Sequence, residues 1–478
     1  MLEGLEAVII NFSVCTSIID FRIDANTFKK DYIKSDKLIN SIRYSTIEDI
    51  STSVQNFGAY SLCNFINFSS FGIPFLMTQN VRHNYIDWNI EKFVNKESHI
   101  MLSKSHCRKG QVLVTMAGEY LGRVAVYDRD EICSSNQAIA KVTLKNKENP
   151  YIISTFLNSK HGQNQINRFK TITGQPNINM SLIKSLKIPE FSTSFQMQIE
   201  ALILASERKR NFTINIYQES ETLLLETLGL NKFEPTAEAV NVKSFKESFL
   251  SSGRLDAEYY QNKYDDYIDL ICRYPNGYEL IEVVCKQKDI NYTPKDNVEY
   301  KYIELANIGK TGDIKGCTIA FGSELPTRAR RKVNTNDVII SSIEGSLDSC
   351  AIVTEEYDNA LCSTGFYIIS SNKINSETLL VLFKSEPIQN ILKKGCSGTI
   401  LTAINKIEFQ NIPVPIIDKQ IQQQIASLVS ESFTLKKQSE QLLETAKRAV
   451  EIAIEDGEEN AFQFIDNADN TLNNKQLN

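Results

Sequence analysis

Two stretches of the chain repeat apolar or small residues at alternating steps of three and four. One holds Ile199, Leu202, Ser206, Lys209, Thr213, Ile216, Ser220, Leu223 and Thr227. The other holds Ile425, Leu428, Ser432, Leu435, Ser439, Leu442, Ala446, Ala449 and Ala453. Such steps place one stripe along one side of a helix and match a heptad seam, so each stretch predicts a single long helix. The first seam is the weaker, because Lys209 stands at a core position. Small residues on both seams suit close approach, and the helices are expected to pair as an antiparallel coiled coil. Elsewhere the pattern is shorter. Val112-Leu113-Val114, residues 123–127, Val338–Ser341 and residues 351–354 are β-branched runs separated by Gly, Asp or Asn, and read as strands. Residues 149–158 and 376–384 read as short helices.

The pattern occurs twice. Arg22-Ile23-Asp24-Ala25 returns as Arg254-Leu255-Asp256-Ala257, and Phe28 and Tyr32 find Tyr260 and Tyr264 at the same offset of 232. Gly110-Gln111-Val112-Leu113-Val114-Thr115 returns as Asn336-Asp337-Val338-Ile339-Ile340-Ser341 at 226, as do Ile188-Pro189 with Val414-Pro415 and Gln198-Ile199 with Gln424-Ile425. Ordered matches at nearly one offset mark a duplicated unit of roughly 230 residues, with the drift absorbed by loops. The expected fold class is α+β: two duplicated mixed α/β domains, each followed by a long helix. The expected boundaries are a first domain over 1–194, a central helix over 195–230, a second domain over 231–417, a C-terminal helix over 418–456, and a disordered acidic tail over 457–478.

Composition narrows the class. A chain of 478 residues is long enough for two to four domains. Hydrophobic residues make up 42%, enough for packed cores. No apolar run is long enough to span a membrane, and the N-terminus carries Glu3 and Glu6 instead of a basic leader, so a cytoplasmic protein is expected. Ten cysteines without a CxxC pair suggest reduced, buried thiols, with neither zinc nor disulfides. The net charge of −6 is adverse for binding nucleic acid, but it comes from the C-terminus. Glu451, Glu455, Asp456, Glu458, Glu459, Asp466 and Asp469 stand there against Lys475, so residues 1–450 are neutral overall.

In this layout the chain resembles the specificity (S) subunits of type I restriction-modification enzymes. The stretches that carry the resemblance are Gly110-Gln111-Val112-Leu113-Val114-Thr115, Gly122-Arg123-Val124-Ala125, Gly162-Gln163 and Gly174-Gln175-Pro176-Asn177-Ile178, then Ile188-Pro189 leading into Gln196-Met197-Gln198-Ile199. The second copy departs from it, with Asp348-Ser349 for Gly122-Arg123 and Gly398-Thr399 for Gly174-Gln175. The resemblance implies two target-recognition domains, each reading half of a bipartite site on double-stranded DNA, with the helices as a ruler between the halves. It implies two adenine methyltransferase (M) subunits as partners, which would hold the S-adenosylmethionine. This chain would carry no cofactor and no catalysis. Whether restriction (R) subunits join stays open, as do two other readings: an S-like subunit of another phage-defence complex, and a coiled-coil scaffold that binds no DNA.

Phosphate contacts call for Lys and Arg, and base edges favour Arg, Lys, Asn and Gln. Two basic runs fall at the same place in both copies: Lys104, His106, Arg108 and Lys109 in the first, Arg328, Arg330, Arg331 and Lys332 in the second. Both are expected at DNA. Gln79 and Asn80, with Asn307 opposite Asn80, are candidates for adenine edges, against the alternative that they bond within a turn. Tyr120 and Arg123 form a third candidate loop.

Enzyme motifs are weak. Asn149-Pro150-Tyr151 lacks the second proline of the adenine methyltransferase loop and reads better as a helix start. Gly309-Lys310-Thr311 lacks the first glycine of a P-loop, because Glu304 stands there. The four histidines, His83, His99, His106 and His161, show no metal-ligand spacing.

Overall fold

The computed structural model describes residues 8–16, 18, 21–58, 60–171, 174–238, 240–398 and 402–474. Met1, Glu3 and Glu6, Thr399 of the second-copy motif and Lys475 of the tail lie outside them. The chain divides into two units, one of residues 1–209 with 438–478 and one of residues 210–437. The long helices run Thr193–Thr227 and Lys419–Glu455, so each helix contributes to both units.

In the first unit a four-stranded antiparallel sheet has the order Ser51–Gln55, Ile139–Leu144, Val112–Thr115, Val124–Val126. All four residues of Val112–Thr115 are buried, as a central strand covered on both faces requires. A second small sheet has the order Phe68–Ser69, Phe93–Val94, Ile73–Leu76, Ser134–Ser135, its last pair parallel. Helices Pro150–Asn158 and Lys160–Phe169 follow at once upon each other, with Ser159 capping the second. Gly162 is needed at this junction, because a Cβ there would lie 2.2 Å from the Phe156 carbonyl.

The second unit repeats the plan. Its antiparallel sheet has the order Lys286–Gln287, Phe366–Ser370, Val338–Ser341, Cys350–Ile352. Its other sheet has the order Thr318–Phe321, Glu299–Ile303, Leu361–Ser363, Ala329–Lys332, and the pair Glu299–Ile303 with Leu361–Ser363 is again parallel. Helices Ser376–Lys384 and Glu386–Lys394 stand where Pro150–Asn158 and Lys160–Phe169 stood. The duplication read from scattered sequence matches is thus a duplication of topology.

Within each unit the two long helices pack antiparallel. In the first, Ser206 Oγ and Ser439 Oγ each lie 2.9 Å from the other residue's carbonyl oxygen and donate to it. Ile199 and Leu202 pack in one core with Leu442 and Ala446. In the second, Ser432 Oγ donates to the Thr213 carbonyl at 3.0 Å, and Tyr217 and Leu224 share a core with Ile425 and Val429. Small hydroxyls bring the backbones close and satisfy themselves across the seam, so their burial leaves no orphaned polar group. Lys209, the odd residue of the first seam, donates Nζ to Gln438 Oε1 at 2.7 Å.

One expectation is corrected. The acidic tail is helical over Glu458–Asn474, after a turn at Gly457. Ala461 and Ile465 are buried in the first unit's core, and Phe462 meets Phe195 edge-on at 5.5 Å. The acidic residues share the helix with an apolar stripe, and a charge count cannot reveal that stripe.

Candidate nucleic-acid interface

The second unit's basic run forms the edge strand Ala329–Lys332. Pleating alternates its side chains. Ala329 is buried, Arg330 and Lys332 are exposed, and Arg331 is half-buried. Arg330 Nε donates to the Thr327 carbonyl at 2.7 Å, and the Lys332 ammonium lies 5.7 Å from the Tyr292 ring centre. Arg328 is exposed and sits 3.3 Å from Glu304. Arg331 points its Nε into the protein, where it is buried without a partner. This edge therefore offers three outward cations, Arg328, Arg330 and Lys332, and one inward one.

The first unit's run is built differently. Lys104 lies in a short 3-10 turn, and Cys107 forms a single antiparallel bridge with Cys133. Lys104 and Arg108 are exposed, and Lys109 pairs with Asp130 at 2.9 Å. His106 is half-buried; it stacks on His99 at 3.9 Å and donates Nε2 to the His99 carbonyl. Its imidazole is occupied inside the domain.

Asn80 and Asn307 do not present themselves to a ligand as expected. Asn80 is 5% exposed; its Oδ1 accepts from Met77 N, and its Nδ2 donates to the carbonyls of Asp87 and Asn89. Asn307 Oδ1 accepts from Glu304 N at 2.8 Å in the matching turn. The two asparagines coincide because the fold caps the same 3-10 turn twice. Gln79, beside Asn80, is half-buried, with Nε2 3.4 Å from Glu91.

Tyr120 and Arg123 come together. The guanidinium carbon lies 4.4 Å from the Tyr120 ring centre. Arg123 Nη1 is buried without a partner, and burial, with Arg82 nearby, pulls the guanidinium pKa down. The strand that follows is pinned by Asn158. Its Nδ2 donates to the Val124 carbonyl at 2.7 Å, to Asn84 Oδ1 and to the Ser154 carbonyl, while its Oδ1 accepts from Val124 N and from His83 Nδ1. Asn84 holds a left-handed conformation, φ 65°, which turns its amide into this network.

Tyr120 also borders a cleft of about 650 Å³ between the two sheets of the first unit. Its walls carry Asn56, Thr78, Asn136, Gln137, Gln175 and Asn177, brought in from four separate segments. None of the lining residues is lysine or arginine, and Glu119 is the single carboxylate. Lys104 stands at its rim: a Cβ on Gly58, which lines the cleft, would lie 3.4 Å from the Lys104 stem. Sequence reasoning did not assemble this cleft. The nearest signals were the candidate residue Tyr120 and the stretch Gln175 to Asn177, which carried only the family resemblance.

The enzyme-like motifs are structural. Asn149 caps the helix Pro150–Asn158 by accepting from Tyr151 N, with Pro150 in the first turn. Gly309 begins a turn closed by Gly309 N donating to the Asp313 carbonyl. Among the described residues no group of three His, Cys, Asp or Glu could hold a metal ion, and the ten cysteines are free thiols. No described helix is long and apolar enough to cross a membrane.

Residues 278–445 match the protein family described as "Type I restriction modification DNA specificity domain". Among solved structures the chain is similar to a type I restriction-modification system S subunit from M. genitalium, at 14% identity and a TM-score of 0.40, covering 87% of this chain and 96% of that one. It is also similar to the HsdS subunit from Thermoanaerobacter tengcongensis, at 13% identity and a TM-score of 0.28, covering 87% and 97%.

Proposed function

We propose that the chain, whose residues 278–445 match the type I restriction modification DNA specificity domain, is the specificity subunit of a type I system, and that each unit reads one half of a bipartite site. The observation that carries this is the repeated topology. The antiparallel sheets of the two units share one strand order, and the other sheet of each unit holds one parallel pair at matched positions, so one kind of domain occurs twice. The outward cations of residues 328–332 and Lys104 and Arg108 supply counter-charge for phosphates, which positions a protein on a duplex without specifying sequence. Exposed Phe212 and Ile214, on the first long helix, suit a partner protein such as a methyltransferase subunit. Catalysis and S-adenosylmethionine belong to that partner in this reading, with nuclease subunits as a further one, and the complex works in the cytoplasm. Sequencing of N6-methyladenine in the host, with and without the gene, tests it. Loss of methylation at one split, asymmetric motif is expected; an unchanged methylome would overturn the reading.

A further inference from the structure

The two units share a fold but not the chemistry of one matched place. In the first, Ala117 bridges to Asn177 at the mouth of the amide-lined cleft; in the second, Ile343 bridges to Ala403 at the same offset of 226. Thr78 opens the 3-10 turn beside the cleft, and Leu305 opens its counterpart. Tyr120 is matched by Ser346. The counterpart of Gln175 is residue 401, outside the described residues. Asn177, Thr78 and Tyr120 thus give way to Ala403, Leu305 and the shorter Ser346, while Gly118 gives way to Glu344.

In the first unit those side chains are available. Gln137, Gln175 and Asn177 are all exposed. Among the described residues, Gln137 takes only a thiol contact from Cys63 at 3.8 Å, through its oxygen. Gln175 is set in place from below: Gly118, at φ +80°, leaves room for its amide nitrogen, which a Cβ there would approach to 3.0 Å. The Gly118 N–H also donates to the Pro176 carbonyl at 3.0 Å, which fixes the Gln175 loop. With no cation in its lining, the cleft has no counter-charge for a phosphate. Paired amide donors and acceptors match a base edge instead, and Asn or Gln side chains match adenine, donating to N7 and accepting from the N6 amino group.

Resting on the proposed function, we infer that this cleft is the base-reading site of the first unit, and that Gln137 and Gln175 bind the major-groove edge of an adenine in its half-site. Lys104 at the rim would hold a neighbouring phosphate.

The test uses the full chain purified from its own host with whatever subunits accompany it. It selects duplexes from a randomised pool, with the wild type and with Gln137→Leu and Gln175→Leu. The expected result is a bipartite motif in which one adenine of one half loses its weight in the variants while the other half keeps its bases. Replacing that adenine by 7-deazaadenine, which removes only the N7 acceptor, should weaken wild-type binding about 2- to 12-fold, the range one hydrogen bond carries. This arm needs no variant and stands even if a substitution disturbs folding. A motif unchanged in both variants, or full affinity for every 7-deazaadenine duplex, overturns the assignment and leaves the DNA reading intact. No enrichment of any sequence overturns both.

Discussion

Replacing Arg328, Arg330 and Lys332 together by alanine removes the three outward cations at the edge strand Ala329–Lys332. If each meets a phosphate, each releases counterions, and the slope of log K against log salt flattens by about 0.9 per contact, so by about 2.7 for three. Over a fourfold rise from about 50 to 200 mM salt, wild type should then lose roughly 40-fold more affinity than the variant. Fluorescence anisotropy with a labelled duplex, titrated at four or five salt concentrations, reads both slopes directly. Arg331→Ala is the internal control. Its Nε is buried and the residue is half-buried, so its substitution should flatten the slope by less than one full contact. A triple variant whose slope equals that of wild type would refute the reasoning and leave the strand a solubilising edge. A change of slope in Arg331→Ala as large as one full contact would refute the geometric sorting of the four cations.

Other expectations follow from buried groups and from the helices. Asn158→Leu keeps the volume but takes the partner from Val124 N and His83 Nδ1, while Val124 O and Asn84 Oδ1 keep Asn84 N and Ser154 Oγ, so urea unfolding should show a loss of about 1–3 kcal/mol; a loss below about 0.5 kcal/mol would contradict the network. Burial brings the Lys141 pKa down to about 8 from 10.5 in the unfolded chain, so between those values the unfolded chain holds the extra proton and stability rises with pH. Lys141→Met should therefore stabilise by up to about 3 kcal/mol at neutral pH, with the gain fading as pH climbs from about 8 towards 10.5, measured by denaturation at several pH values. Ending the chain after Asp456 removes buried Ala461 and Ile465 and the Phe462–Phe195 contact, and should cost about 3 kcal/mol in the first unit, read by calorimetry. Inserting one heptad after Lys209 and another after Lys437 leaves both units whole, and adds about 10 Å to each helix. The gap between half-sites in the methylated motif should widen by about three base pairs, with the bases unchanged.

The long helices were legible because their signal is local and periodic. Ser206, Ser432 and Ser439 fall on the predicted seams and are buried there, although a hydrophobicity scale alone would place serine outside. The tail was misread for the opposite reason. Glu458, Glu459, Asp466 and Asp469 dominate any count there, while Ala461 and Ile465, four residues apart, define the face that packs. The match of Asn80 with Asn307 left two readings open, adenine edges or bonds within a turn, and both side chains bond within a turn. A residue retained at one offset in a duplicated chain reports first on what both folds need, here a capped 3-10 turn. The cleft of the first unit was out of reach. Asn56, Gln137 and Gln175 are isolated polar residues in loops, with no period and no spacing, and only the crossing of two sheets brings them together.

The same distinction explains why the copies can share a fold and differ in what they bind. Positions that set the topology are nearly interchangeable between units: Val112–Thr115 and Val338–Ser341 are both fully buried β-branched strands at the centre of sheets with the same order. A polar substitution there would be costly, because a buried donor or acceptor would lose its water without gaining a partner. Positions on the loops that leave these strands carry no such constraint, since their side chains reach solvent in either copy. Gly118 has become Glu344, Tyr120 has become Ser346, and Asn177 has become Ala403 without moving the bridge that joins the two loops. The bridge is made by backbone atoms, so it survives any side chain, and it holds the loops in register while their chemistry changes. A domain built this way can change its reading of DNA one loop residue at a time at little cost in stability, and two copies on one chain can come to read unlike half-sites from a common ancestor.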